Sequence, residues 1–301
     1  MKVLVIGGGN SNEREVSLMS ARYVCDGAKD AGYHADFYDW DGSVEWLDKN
    51  LKYYDVVLPI LHGEGGEDGE IQMILESNQV RYLGSGPIVA KKCFDKQQIR
   101  KFAKSLKILV PNGDVLGFDE YKSSKFFDRP HVVKPVEGGS GIDSFVIKDL
   151  AKRDINSVEE TFKKYRQMLI EECIDGQEIT VGVLDSYKEL PVVEIIPPVG
   201  ELFDFENKYN GRTTELCPPE NISEELQLQA KAVAKHLHQE LGCKHITRSD
   251  FMIEDNKLYF LEINIIPGLT DQSLFPKAAK AAGLEFPQLV DHLVKLVANQ
   301  K

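Results

Sequence analysis

The sequence predicts an α/β protein of three domains, with a parallel sheet at its amino end and an α+β central part. Three observations predict it. The chain has 301 residues, more than one compact core usually needs. Its opening alternates strands with a helix, the pattern of a parallel sheet with helical crossovers. Beyond residue 86 the pattern changes to short paired strands flanked by basic helices. The resulting domains are 1–86, 87–182 and 183–301. Hydrophobic content of 42% and charged content of 28% are ordinary for a globular protein.

The elements follow in order. "KVLVIGGGNSNEREVSLMSARYVCDGAKDAG" reads strand, glycine turn, helix. Val16, Val24 and Ala28 keep helical spacing and Gly32 stops the helix. The apolar run Val3 to Ile6 is a first strand, too short for a signal peptide. "HADFYDW" and "YDVVLPIL" are further strands, and a boundary fits near "GSGPIVAKK". "VAKKCFDKQQIRKFAKSL" is a basic helical pair. "HVVKPVEGGSGIDSFVIKD" reads strand, glycine loop, strand, and "MLIEECIDGQEITVGVLD" reads strand, break, strand. Together these predict a small antiparallel sheet with helices on one side. The last third opens with the strand "LPVVEIIPP" and a long polar loop. A helix follows over "SEELQLQAKAVAKHLHQELG", capped by Ser223, with Glu224 and Glu225 in its first turn and Gly242 at its end. A hairpin, "TRSDFMIEDNKLYFLEINIIPG", precedes a final helix through "FPQLVDHLVKLVA".

Charge and cysteine usage narrow the function classes. Thirty-six basic and 48 acidic residues give a net charge of −12. That argues against nucleic-acid and anionic-membrane partners, while leaving room for an anionic substrate in a lysine-lined cleft. Five scattered cysteines suit a reducing cytoplasm better than a disulfide framework. Cys243 with His245, or His236 with His238, lacks a second pair at zinc-ligand spacing. No segment approaches the roughly 20 apolar residues of a membrane span.

The hairpin carries the chemistry. Side chains alternate faces along a strand, so Arg248 and Asp250 share a face of theirs, and Glu262 and Asn264 share a face of theirs. A three-residue loop over Asp255, Asn256 and Lys257 pairs Asp250 with Glu262 and Arg248 with Asn264, bringing all four polar groups together. Phe251, Ile253, Leu261 and Ile263 are then left for the core. A two-residue loop would split the polar set and bury half of it. Two carboxylates and a carboxamide oxygen suit Mg²⁺, a hard cation that takes oxygen ligands; taken alone, the same residues also describe a solvated face with an incidental salt bridge.

Other stretches add to this. "LHGEGGEDGEIQ" packs glycines and acids after a strand of the parallel sheet, where such folds bind ligands. "KPVEGGSG" joins Lys134 to a glycine loop whose N–H groups can cradle phosphate, without being a P-loop. Lys96, in "FDKQQIRK", is a second candidate for phosphate. "IEECIDGQE" sets Glu171 and Glu178 around a break, where a strand edge can meet adenine and a carboxylate can meet ribose. "VIGGGNSN" lacks the third glycine of a dinucleotide fingerprint, because position 12 is Asn12.

In this order the segments resemble the D-alanine–D-alanine ligases of the ATP-grasp superfamily, over nearly the whole chain. The resemblance rests on "NEREVSLMS", "LHGEGGEDGEIQ", "YLGSG", "FDK", "VVKPVEGGSG", "IEECIDGQEITV", "PVVEI", "FDFENKY", "RSDFM", "LEINIIPGLTDQSL" and "FPQLV". It implies an ATP-grasp fold whose amino-terminal sheet is Rossmann-like. It also implies a cytoplasmic enzyme that joins two D-alanines through an acyl phosphate for peptidoglycan precursors, often as a homodimer. By that resemblance Lys96 and Lys134 hold phosphates and Ser140 closes over them. Glu171 meets adenine and Glu178 the ribose. Asp250, Glu262 and Asn264 bind two Mg²⁺ ions, or Mn²⁺ in their place. Arg248 and the Gly268 N–H stabilise the oxyanion. Glu13 binds the first substrate's ammonium, Ser273 and Leu274 receive the second substrate's carboxylate, and His62 lies nearby. Lys208 and Tyr209 ride on a loop over the site, and a tyrosine at Tyr209 goes with an amine acceptor rather than D-lactate.

The chain departs from the family pattern at Met73, Gly141, Asp143, Thr247 and Ile265. These bear on substrate choice and turnover more than on reaction class. Two alternatives are an ATP-grasp ligase with another acceptor and a nucleotide-binding protein without catalysis. The complete set Glu13, Lys96, Lys134, Arg248, Asp250, Glu262 and Asn264 argues against the second.

Overall fold

A computed structural model describes residues 1–198 and 212–300. Among these residues the strands form three sheets. The amino-terminal sheet is parallel, with β1 (Lys2–Gly8) between β2 (His34–Trp40) and β3 (Val56–Pro59). Helix α1 (Arg14–Asp30) makes the crossover from β1 to β2. α2 (Glu45–Asn50) precedes β3, and α3 (Glu70–Ser77) follows the loop that leaves it. The loops after β1 and β3 therefore leave the same carboxyl edge of the sheet, the usual ligand-binding edge of such folds.

Helices α4 (Pro87–Phe94) and α5 (Lys96–Ser105) follow. Asp95 separates them and caps α5, accepting from the Gln97 and Gln98 N–H groups at 2.9 Å each. Next come β4 (Gly113–Gly117), α6 (Phe118–Lys122), β5 (His131–Pro135), β6 (Phe145–Ile147), α7 (Ile155–Tyr165) and β7 (Gln167–Glu172). The four strands pair antiparallel in the order β4-β7-β5-β6. Tyr121, Phe126, Val133, Phe162 and Ile170 fill the core between this sheet and its two helices.

β8 (Gln177–Leu184) does not pair with β7. It joins β9 (Val193–Ile196), β10 (Thr214–Leu216), β11 (Ile246–Glu254) and β12 (Lys257–Asn264) in an antiparallel sheet of order β10-β9-β8-β11-β12. The break in "IEECIDGQE" is thus a crossing between two sheets, and the single antiparallel sheet expected for the centre is corrected accordingly. Helix α8 (Glu224–Leu241) covers one face of the five-stranded sheet with α4 and α5, burying Ile179, Val181, Phe251 and Phe260. Its ends are the expected ones. The Ser223 hydroxyl accepts from the Leu226 N–H at 3.4 Å, and Gly242 stands at φ 72°. Helices α9 (Leu274–Ala281) and α10 (Phe286–Ala298) finish the chain. Leu289, Val290, Leu293, Val294 and Val297 of α10 share one core with Val3, Val5, Val24 and Leu58. The last helix therefore packs on the first sheet.

The hairpin reaches the expected polar pairing by another route. Arg248 pairs with Asn264 and Asp250 with Glu262, as the polar pattern requires. The turn, however, has two residues, Asp255 and Asn256, since Glu254 pairs with Lys257. Both turn residues have positive φ, 50° and 59°, the conformation that suits a tight hairpin to twisted strands. The missing offset is made up by a bulge, because Phe251 pairs with Phe260 and leaves Leu261 as an extra residue on β12. Leu261 accordingly lines the cleft beside Met252 instead of filling the core.

Candidate active site

The four-stranded and five-stranded sheets face each other across a cleft. Alternation on β5 and β7 sends Val133 and Ile170 to the helix side, and Val132, Lys134 and Glu171 into the cleft. Alternation on β8 and β11 does the same for Glu178, Asp250 and Met252. A second pocket adjoins the first and is lined by Glu13, His62, Ser140, Arg248, Asn264 and Gly268, with Ser273 and Leu274 at the start of α9. Gly139 and Glu262 line both pockets. All the described site residues expected from the sequence line this pair of pockets; Lys208 and Tyr209 lie outside the described residues.

Glu262 and Asp250 sit side by side across the hairpin. The Asp250 carboxylate accepts from Arg248 Nε at 2.9 Å and Nη2 at 2.8 Å, from Asn264 Nδ2 at 3.2 Å and from the Thr180 hydroxyl at 2.5 Å. Burial acts to lower the Arg248 pKa, but Asp250, Glu262 and Glu67 outweigh it and raise the value. Arg248 stays charged, with its fork fixed by Asp250. With its amide nitrogen on Asp250, Asn264 keeps its carbonyl oxygen for another partner. The two carboxylates and that oxygen form a hard, all-oxygen donor set that fits Mg²⁺.

The loop after β5 closes one end of the cleft. Gly138, Ser140 and Gly141 have φ of 116°, 54° and 73°. The Ser140 hydroxyl donates to the Glu13 carboxylate, which stands at the start of α1. A Cβ at position 139 would lie 2.9 Å from Glu13 Oε2, so a side chain there would push the Glu13 carboxylate aside. Lys96 is buried; its ammonium donates to the Gly138 carbonyl, and burial chiefly lowers its pKa. Lys134 forms an ion pair with Glu171. The Glu171 carboxylate is thus committed to cations.

Two buried groups line the second pocket. His62 receives support from β3's neighbour α1: its N–H donates to the Ser17 hydroxyl at 2.9 Å, and Nε2 lies 3.3 Å from the Ser20 hydroxyl. Burial first, and the Arg248 charge second, push its pKa down to about 4. The folded chain therefore keeps His62 neutral, while the unfolded chain protonates it below its ordinary 6.5. This contribution to stability is complete above 6.5 and is lost as the pH falls towards 4. Replacing His62 by Asn is expected to flatten that fall, removing up to about 3 kcal/mol of pH dependence. Urea midpoints at neutral pH and at about pH 5 check it; equal slopes in both proteins would refute it. Glu67 was not singled out from the sequence, being one of several acids in "LHGEGGEDGEIQ". It accepts from the Gly63 N–H at 2.8 Å. Burial and the nearby Glu13 push its carboxyl up to about 8. Arg100 and Thr180 were also missed, although Arg100 stands one helical turn from Lys96.

Comparisons with known proteins match this geometry. A model of the D-ala D-ala ligase C-terminus covers residues 119–295, and one of the D-ala D-ala ligase N-terminus covers residues 47–85. The chain belongs to the D-alanine–D-alanine ligase family. Among the ligases of this name it is 34% identical to that of Fervidobacterium nodosum over 97% of each chain. It is 35% identical to that of Clostridium botulinum strain Alaska E43, over 98% of this chain and 97% of the relative. The Bacillus anthracis ligase crystallised with ATP superposes with a TM-score of 0.83 at 30% identity, covering 99% of this chain and 97% of that one. The fold is the ATP-grasp fold of these ligases.

Departures from the D-alanine–D-alanine ligase pattern have local explanations. Asp143, an acid in the glycine loop after β5, turns away from the cleft: Lys164 Nζ and the Tyr165 hydroxyl both donate to its Oδ2, at 2.6 and 2.7 Å. Thr247 points to the opposite face of the sheet from Arg248, and its hydroxyl meets His238 Nδ1 of α8 at 2.8 Å. Ile265 is buried in the core beneath α4 and α5. Met73 is exposed on α3. Among the described residues no helix is long and apolar enough to cross a membrane.

Proposed function

We propose that the chain joins two D-alanines at the expense of ATP, for use in peptidoglycan precursors. The observation that carries the reading is that the nucleotide cleft and the substrate pocket meet at Gly139 and Glu262. A γ-phosphate lying over Glu262 would face a carboxylate in the pocket. Lys96 and Lys134 hold the phosphates, with Ser140 and the neighbouring loop closing over them. Glu178 meets the ribose. Glu13 binds the first substrate's ammonium and leaves its carboxylate to attack the γ-phosphate. Asp250, Glu262 and Asn264 would hold Mg²⁺, which supplies charge neutralisation on the transferring phosphoryl group. Arg248 and the Gly268 N–H donate to the carbonyl oxygen of the acyl phosphate as the second amine attacks its carbon and inorganic phosphate leaves. The α9 amino terminus, with Ser273 and Leu274, receives the second substrate's carboxylate. Neutral His62 lines the same pocket without adding a charge that would compete for that carboxylate.

Phosphate release from Mg·ATP is the test, with D-alanine, L-alanine, D-serine or D-lactate offered and the product identified by mass. Release with D-alanine and a dipeptide mass is expected. Release only with another acceptor would replace the substrate assignment. Tyr209→Phe is expected to shift the acceptor from amine towards D-lactate. An unchanged amine preference across pH would remove Tyr209 from that role.

A further inference from the structure

The four-stranded sheet and α5 meet at a largely buried trio of charges that the reaction scheme leaves unexplained. Glu171 on β7 faces two cations. Lys134 of β5 forms a close ion pair with one oxygen, Oε1. Arg100 of α5 stands 3.4 Å from the other, Oε2, through its Nε. The Arg100 and Glu171 side chains are 6% and 4% exposed. Among the described residues, neither Arg100 Nε nor Glu171 Oε2 has a hydrogen-bond partner. Arg100 is held from behind, where Nη2 donates to the Pro111 carbonyl. α5 also carries Lys96, one turn earlier on the same side of the helix.

This arrangement presents a difficulty. Lys134 cannot serve a phosphate fully while its ammonium is given to Glu171. If it leaves, a carboxylate out of water loses its partner, a costly event unless another cation takes over. Arg100 is placed to do so, with its buried Nε 3.4 Å from the Glu171 oxygen that Lys134 does not hold. We propose that Arg100 is a positioning residue that accepts Glu171 when Lys134 turns to the nucleotide phosphates. The inference rests on the reading of Lys134 as a phosphate-holding residue. It assigns Arg100 no contact with nucleotide, so its effect should depend on phosphate and on Glu171.

The test measures the affinity of the full-length protein for Mg·ADP and for adenosine. Arg100→Met is expected to weaken Mg·ADP by about tenfold or more, because Lys134 is then retained by Glu171. Adenosine, which has no phosphate, should bind within about twofold of the unchanged protein, since only the hand-over is impaired. Adding Glu171→Gln to Arg100→Met should recover Mg·ADP affinity to within about threefold, because no buried charge then holds Lys134. Arg100→Lys, which keeps a cation, should lose less than Arg100→Met, and it supplies the comparison if the methionine variant does not fold. Unchanged Mg·ADP binding in Arg100→Met, or in Arg100→Lys when only that variant folds, overturns the proposal. Equal loss of adenosine, or a double variant no better than the single one, also overturns it. Lys134→Met separates this from the reading beneath it: unchanged Mg·ADP affinity there would remove Lys134 from the phosphates altogether.

Discussion

Glu262→Ala is expected to leave a folded protein that binds ATP but releases phosphate on the order of 10³ times more slowly. The reason is its position. Glu262 lines both the cleft between the sheets and the pocket beside it, and pairs with Asp250 across the hairpin. Without it, one carboxylate remains to hold a cation between the two chambers. Folding should survive, because the apolar residues that fill the core, Phe251, Phe260 and Ile263, lie on the other face. Glu262→Gln, which keeps the shape and removes the charge, should lose almost as much. Phosphate release measured beside a thermal melt decides the matter. Normal turnover in either variant would sink the metal assignment.

Arg248→Ala should show two losses at once. As a donor to the developing oxyanion, Arg248 is expected to be worth about 10²–10³ in rate. As the partner of Asp250, it also neutralises a carboxylate whose side chain is 12% exposed. Removing one member of such a pair costs about 3 kcal/mol of stability. Arg248→Lys separates the two, since it retains a charge near Asp250 but not the two-pronged contact at 2.8 and 2.9 Å. It should therefore melt near the unchanged protein and still turn over slowly. A lysine variant with full rate would take Arg248 out of the chemistry.

Much of this site was legible because strand alternation is strict. Arg248, Asp250, Glu262 and Asn264 could be placed on one face from their spacing, and the observed pairing agrees. The bulge at Leu261 was not legible. In a regular ladder only the three-residue loop keeps the polar set together, and a two-residue turn does so only with a bulge, which the polar pattern does not announce. Only the positive-φ preference of Asp255 and Asn256 favoured the shorter turn. The division between β7 and β8 was hidden for a related reason, since four residues suffice for a hairpin and also for a step between sheets. Glu67 was masked by its neighbours: "GEGGED" offers several acids, and burial alone distinguishes the one pushed up to about 8. The ion pairs of Glu171 with Lys134 and Arg100 join residues far apart in the chain, and no local pattern encodes them.

The packing of α10 on the parallel sheet has a consequence during synthesis. Val3, Val5 and Leu58 emerge from the ribosome long before their apolar partners Leu289 to Val297. The parallel sheet thus leaves the exit tunnel well before the helix that completes its core. Until then it presents apolar surface that chaperones can hold and that neighbouring nascent chains can capture. A stop codon or frameshift that removes α10 would expose the oldest part of the polypeptide, not merely shorten its newest end.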